Sequence, residues 1–153
     1  MIILGAKLAF FMPSGDKAYW TYLETNFDIF QDTLYYRDQF YFVDESGTLF
    51  ACDLNHPHNP RVSPVLVSPP YSTFGLDFEE DKDNYLYLVE LSSGDLLLAK
   101  RVRKYTEDYE RSYTIGFSAY KMNPLVDLKW IKVHNLCGDT VFVGASYSSS
   151  LRA

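Results

Sequence analysis

The acidic run FEEDKDN at 78–84 sets Glu79, Glu80, Asp81 and Asp83 almost side by side. Paired carboxylates can serve glycoside hydrolysis or hold a hard cation. Calcium loops, however, place ligands at alternate positions around a Gly turn, and this run lacks that spacing. Consecutive like charges repel rather than organise, so it reads as a solvated connection. His56 and His58 in NHPHNP have no recognisable third or fourth ligand, and Pro57 fixes a turn between them; they read as loop histidines. The serines of GASYS at 144–148 lack the strand-to-helix elbow that exposes a nucleophile. A hydrolase with carboxylates on its innermost strands has two candidates, Asp32 and Asp139, and each reads as a turn residue at a strand start. The two cysteines, Cys52 and Cys137, have no CxxC partner; each lies in or beside an apolar run and reads as a small hydrophobe in a reducing compartment. The residues thus imply no catalytic group, no metal and no cofactor.

The chain has 153 residues, enough for one domain with a real core. Apolar residues make up 47% and aromatic ones 17%, which excludes disorder and favours strands, where rings pack well on a pleated surface. With a net charge of −6 and no basic run longer than the broken KRVRK at 100–104, a nucleic-acid partner is not expected. No stretch approaches the roughly 20 apolar residues of a membrane span, so no membrane partner is expected either. The opening MIILGAKLAFFMP lacks a basic leader region and a cleavage site, and Lys7 interrupts it. It reads as a strand followed by a turn, which points to the cytoplasm or nucleus.

Helical periodicity is almost absent, while short aromatic and β-branched runs alternate with turn signals, the all-β pattern. Expected strands are 7–12, 19–24, 32–37, 39–44, 48–54, 62–67, 84–91, 95–103, 113–122, 129–134 and 139–145. Ser14-Gly15-Asp16, Glu45-Ser46-Gly47 and Ser93-Gly94-Asp95 join neighbours as antiparallel hairpins. Pro60, Pro64, Pro69 and Pro70 make 62–67 an edge or irregular strand, since proline cannot donate to a ladder.

Grouped in fours, these strands repeat. Trp20 precedes Asp32-Thr33 much as Trp130 precedes Asp139-Thr140, and LFACDLN at 49–55 is echoed by FSAYKMN at 117–123. Four-stranded antiparallel repeats of about 40–50 residues are the mark of propeller blades. A β-sandwich shares the composition, but the repeated Trp in the outer-strand slot favours blades. The expected fold is a partial β-propeller: about two full four-stranded antiparallel blades, at 32–67 and 84–134, with flanking half blades.

Three stretches, DTLYYRDQFYFVDESGTLFACDL at 32–54, YLVELSSGDLLLAKRV at 87–102 and GFSAYKMNPLVDLKWIKVHNLCGDTVFVGASYSSS at 116–150, carry a resemblance. Together they resemble the C-terminal β-propeller of plant F-box proteins of the KIB type, domain of unknown function 295. Cys137 in the turn and Thr140-Val141 are local departures. The resemblance implies a non-enzymatic module that presents protein clients to a cullin-type ubiquitin ligase. It also implies an F-box upstream to bind a Skp-type adaptor. No segment here reads as that helical module, and the family's propeller continues past the serine-rich run. The chain is therefore expected to be a single fragmentary domain with exposed strand edges prone to self-association. A truncated remnant or decoy is the alternative.

In such a propeller the connections SPPYSTFGLDFEEDK at 68–82 and KYTEDYERS at 104–112 emerge on one face. Long loops on rigid scaffolds carry function, and Tyr and Arg dominate interaction hot spots. Tyr71, Phe74, Tyr105, Tyr109 and Arg111 are thus the expected contacts for a protein client of unknown identity.

Overall fold

The computed structural model describes residues 2–4, 7–14, 17–23, 29–53, 60–66, 82–123, 129–144 and 148–152. Among them the strands run β1 (Ile2–Leu4), β2 (Lys7–Ser14), β3 (Lys17–Leu23), β4 (Phe30–Tyr36), β5 (Gln39–Asp44), β6 (Leu49–Asp53) and β7 (Arg61–Leu66). They continue with β8 (Lys82–Glu90), β9 (Leu96–Tyr105), β10 (Ser112–Asn123), β11 (Lys129–Val133), β12 (Asp139–Phe142) and β13 (Ser149–Arg152). All pairings are antiparallel meanders: a three-stranded sheet β1–β3, two four-stranded sheets β4–β7 and β8–β11, and the hairpin β12–β13.

The two four-stranded groups lie where the repeat placed them, and residues 49–53 and 112–123 are the third strands of their sheets. β7 is an edge strand whose register slips between Leu49 and Phe50 opposite Pro64, as the missing proline N–H requires. Two expectations need correction. The segment at 2–4 pairs with β2 as a strand of its own, so β1–β3 make three strands ahead of the first full sheet. The serine-rich run also pairs: Ser149–Arg152 lies against Asp139–Phe142.

The apolar residues alternate along each strand, yet both faces of the central sheets are buried. In β5, Phe40 and Phe42 join the cluster of Leu23, Phe30, Phe50 and Cys52 on one side, while Tyr41 and Val43 point to the cluster on the other. In β8 and β9, Leu86, Leu88, Leu96 and Leu98 share that second cluster with Val43, Leu49 and Leu66, whereas Val89 and Leu97 turn to a third with Val141 and Val143. Side chains alternate across a strand, so each cluster lies between successive sheets and the four sheets stack in chain order. Continuous runs such as LLLA at 96–99 are the price in sequence of two buried faces.

Hydrogen bonds lock the central seam. Trp130 is buried in β11, and its indole N–H donates to the Gly47 carbonyl in the β5–β6 turn at 2.9 Å. Gly47 has a φ of +84°, the left-handed backbone that hairpin turns favour in glycine, and Asp44 and Ser46 side chains brace the same turn. At the other end, the Tyr36 hydroxyl donates to the Gly94 carbonyl at 2.7 Å and Arg37 donates to it at 3.0 Å. Trp20 does hold the matching last-strand position in β3, but it is 48% exposed where Trp130 is 6% exposed. The repeat therefore preserves the slot and not the environment.

Replacing Trp130 with Phe keeps a six-membered aromatic ring but removes the pyrrole half with its N–H donor, leaving a buried carbonyl at Gly47. Stability measured by urea denaturation should fall by about 1–3 kcal/mol; an unchanged midpoint would show that this bond does not hold the seam.

Candidate functional site

β4 and β8 are the free edges of their sheets and lie against each other. An edge strand leaves backbone donors and acceptors unpaired, and here side chains take them. Asp32 Oδ2 accepts the Leu88 N–H from β8 at 2.8 Å, and its Oδ1 accepts the N–H of Thr33 at 2.8 Å. Two residues on, the Glu90 carbonyl accepts the Ser150 hydroxyl from β13 at 2.6 Å. Asp139, at the start of β12, accepts the Ser92 N–H at 2.8 Å and the Ser92 hydroxyl. Asp32 is thus the third residue of β4 and not a turn residue, because its carboxylate serves a strand edge 56 positions away. Asp139 keeps its place at a strand start, but its work is to tie β12 to the β8–β9 turn.

Between these strands lies a cleft of about 580 Å³, lined by Asp32, Thr33, Leu34, Tyr35 and Phe40, by Leu88, Glu90, Leu91 and Ser92, and by Ser148, Ser149 and Ser150. Burial pushes the Asp32 carboxyl up to about 6 despite the opposing Leu88 and Thr33 N–H bonds. The Ser92 hydroxyl, with its N–H, holds Asp139 below the usual carboxylate range. No sequence pattern marked this cleft, since its walls come from residues distant along the chain.

The loop Thr106–Arg111 between β9 and β10 is braced by its own bonds. Thr106 N–H donates to the Arg111 carbonyl and Tyr109 N–H to the Thr106 carbonyl, each at 2.9 Å. The Thr106 hydroxyl accepts the Arg111 N–H at 3.2 Å and also binds the Asp108 carboxylate, which it holds below its usual range. Tyr105 donates its hydroxyl to Asp83, and that bond raises the tyrosine's pKa. The rings of Tyr105 and Tyr109 lie 6.0 Å apart, and Tyr109 and Arg111 are exposed. Two of the five expected contacts, Tyr109 and Arg111, therefore share this loop, and Tyr105 ends the strand that leads into it. Tyr71 and Phe74 lie outside the described residues, as do His56, His58, and residues 79–81 of the acidic run. The chain enters β8 at Lys82 opposite Lys104, so the described backbone brings both connections to the same end of the sheet.

Cys52 is buried in β6, where desolvation pushes its thiol up to about 11. Cys137 is exposed, at a φ of +55° in the Cys137-Gly138 turn, and is not the small core hydrophobe expected from its neighbours. Among the described residues no three His, Cys, Asp or Glu side chains are grouped to hold a metal ion, and no helix is long and apolar enough to cross a membrane.

Antiparallel meanders stacked in chain order, two of them four-stranded and with their first strands β4 and β8 turned toward each other, define a β-propeller. The chain belongs to the KIB1-4 β-propeller family, whose profile matches residues 1–153. An Arabidopsis thaliana protein described as an F-box protein is 26% identical over 137 residues, 90% of this chain. The chain spans 34% of that relative's length. No solved structure matches the chain significantly.

The raised Asp32 pKa sets a pH dependence. A carboxyl that titrates at about 6 when folded and near 3.8 when unfolded contributes stability that is fully present below 3.8 and is lost as pH rises through 6. Wild-type stability relative to Asp32→Asn should accordingly rise as pH is lowered from 6.5 to 4.5, by on the order of 1–2 kcal/mol. A pH-independent difference measured by denaturant melts would contradict the assignment.

Proposed function

We propose that this chain is a non-enzymatic protein-recognition domain that binds a client through the face carrying the Thr106–Arg111 loop. The observation that carries this reading is the loop itself. It holds the exposed Tyr109 and Arg111 and the neighbouring Tyr105 ring on a hydrogen-bonded scaffold, so little order is lost when a partner docks. Tyr71 and Phe74 belong to the proposal by residue type alone, since they lie outside the described residues. Membership of the propeller family and likeness to a protein described as an F-box protein support a role like that of the client-binding part of a cullin-type ligase receptor. Contact with a Skp-type adaptor would then belong to an F-box and not to these strands. Two free cysteines fit a reducing cytoplasm or nucleus.

Catalysis is the weaker reading. Both oxygens of the perturbed carboxylate, Asp32, already accept backbone N–H groups in a structural clasp.

Tyr109 pays for its position with a φ of +57°, which costs a side chain of its kind roughly 1 kcal/mol. Asparagine tolerates that conformation. Tyr109→Asn should therefore leave thermal stability unchanged or raise it, while Tyr109→Asn with Arg111→Ala weakens a purified client at least tenfold by titration calorimetry. Unchanged client affinity in the folded double variant would end the proposal.

A further inference from the structure

The inner cleft between β4, β8 and β13 is separate from the loop patch, and its walls have one chemical character. Among the described residues they carry the carboxylates of Asp32 and Glu90, the hydroxyls of Thr33, Ser92, Ser148, Ser149 and Ser150, and no cationic side chain. One side is aromatic: the Tyr35 and Phe40 rings stand 4.9 Å apart, and Tyr35 is 56% exposed. Each carboxylate oxygen of Asp32 accepts one backbone N–H, which leaves it a further lone pair.

A second observation points to a missing ligand. Ser148 is 7% exposed, lines this cleft, and its hydroxyl has no hydrogen-bond partner among the described residues. A buried hydroxyl without a partner is destabilising, and a donor entering the cleft relieves it. Water alone would satisfy it, but would leave the carboxylates and the exposed ring without a common purpose.

We propose that this cleft binds the guanidinium of an arginine side chain presented by the protein partner. A guanidinium carries its charge on a planar, weakly hydrated group that stacks on an aromatic face and donates in several in-plane directions. Tyr35 offers the face, Asp32 and Glu90 offer the counter-charge, and the hydroxyls of Ser148 and Ser92 offer acceptors. Charge-assisted bonds to a carboxylate are about twice as strong as neutral ones. A lysine would supply the charge without the plane, and an acidic or phosphorylated segment would be repelled. The strand edge beside the cleft is closed by Asp32 and Ser150, so the partner enters by its side chain and not by adding a strand. The proposal rests on the protein-recognition reading above and adds a specificity-determining contact to it.

The test uses the 153-residue chain and two probes, N-acetyl-arginine-methylamide and its uncharged citrulline counterpart, followed at the Leu88 and Ser92 amides by NMR. The arginine probe should shift both signals saturably and the citrulline probe should not. Glu90→Gln should weaken the arginine probe several-fold, and Asp32→Asn at least tenfold. Because Asp32 also clasps β8, Glu90→Gln decides alone if Asp32→Asn does not fold. Equal response to the two probes, no saturable shift, or unchanged affinity in the folded variants would overturn the proposal. Those outcomes leave the loop patch untouched: a client lost in the loop variants but retained in Glu90→Gln sinks only the arginine pocket.

Discussion

Val43, Leu49 and Leu98 have no exposed surface, and all three belong to the cluster that closes the β4–β7 sheet onto the β8–β11 sheet. Apolar burial of this kind is worth about 25 cal/mol per Å² and has no direction; by itself it would allow the sheets to slide. Direction comes from the bonds at its borders. Trp130 reaches Gly47, Tyr36 reaches Gly94, and Asp32 takes the Leu88 N–H. Each joins residues between 56 and 83 positions apart, so together they fix how one sheet sits on the next. The inner cleft exists only because that registration brings the β4 and β8 edges together.

The same constraint separates the two candidate surfaces. The Thr106–Arg111 loop is braced by its own hydrogen bonds at the far end of β9 and β10, and it needs the sheet only as a platform. The cleft, by contrast, has walls in three sheets and depends on their packing. A change in the seam therefore reaches the cleft directly and the loop only through loss of the whole sheet.

Much of the architecture was legible in the sequence because local chemistry and global fold agree. Gly47 and Gly94 mark turns that need positive φ, and the aromatic and leucine runs mark strands buried on both faces. Ile2–Leu4 was not set apart from the strand that follows it, and Ser149–Arg152 escaped notice, because runs of three or four residues are too short to give a periodic signal. Asp32 was misread for a related reason: a carboxylate beside threonine looks like turn chemistry, and its partner Leu88 is invisible in local sequence. Cys137 was misread because its apolar neighbours suggested a core, whereas the turn at 137–138 turns it outward. The loop residues were singled out by residue type and connection length, and the structure shows Tyr109 and Arg111 exposed on one hydrogen-bonded loop. The cleft was not legible, since no single segment supplies it.

The seam is tested most directly by hydrogen exchange at two protons that only sheet-on-sheet packing protects, the Leu88 amide and the Trp130 indole N–H. If the seam governs the fold, both exchange only through global unfolding, with one free energy and one denaturant dependence shared with the Leu97 amide of β9, which lies between β8 and β10. Exchange of either proton by a local opening, while Leu97 stays protected, would show that the sheets hold together without the bonds at their border.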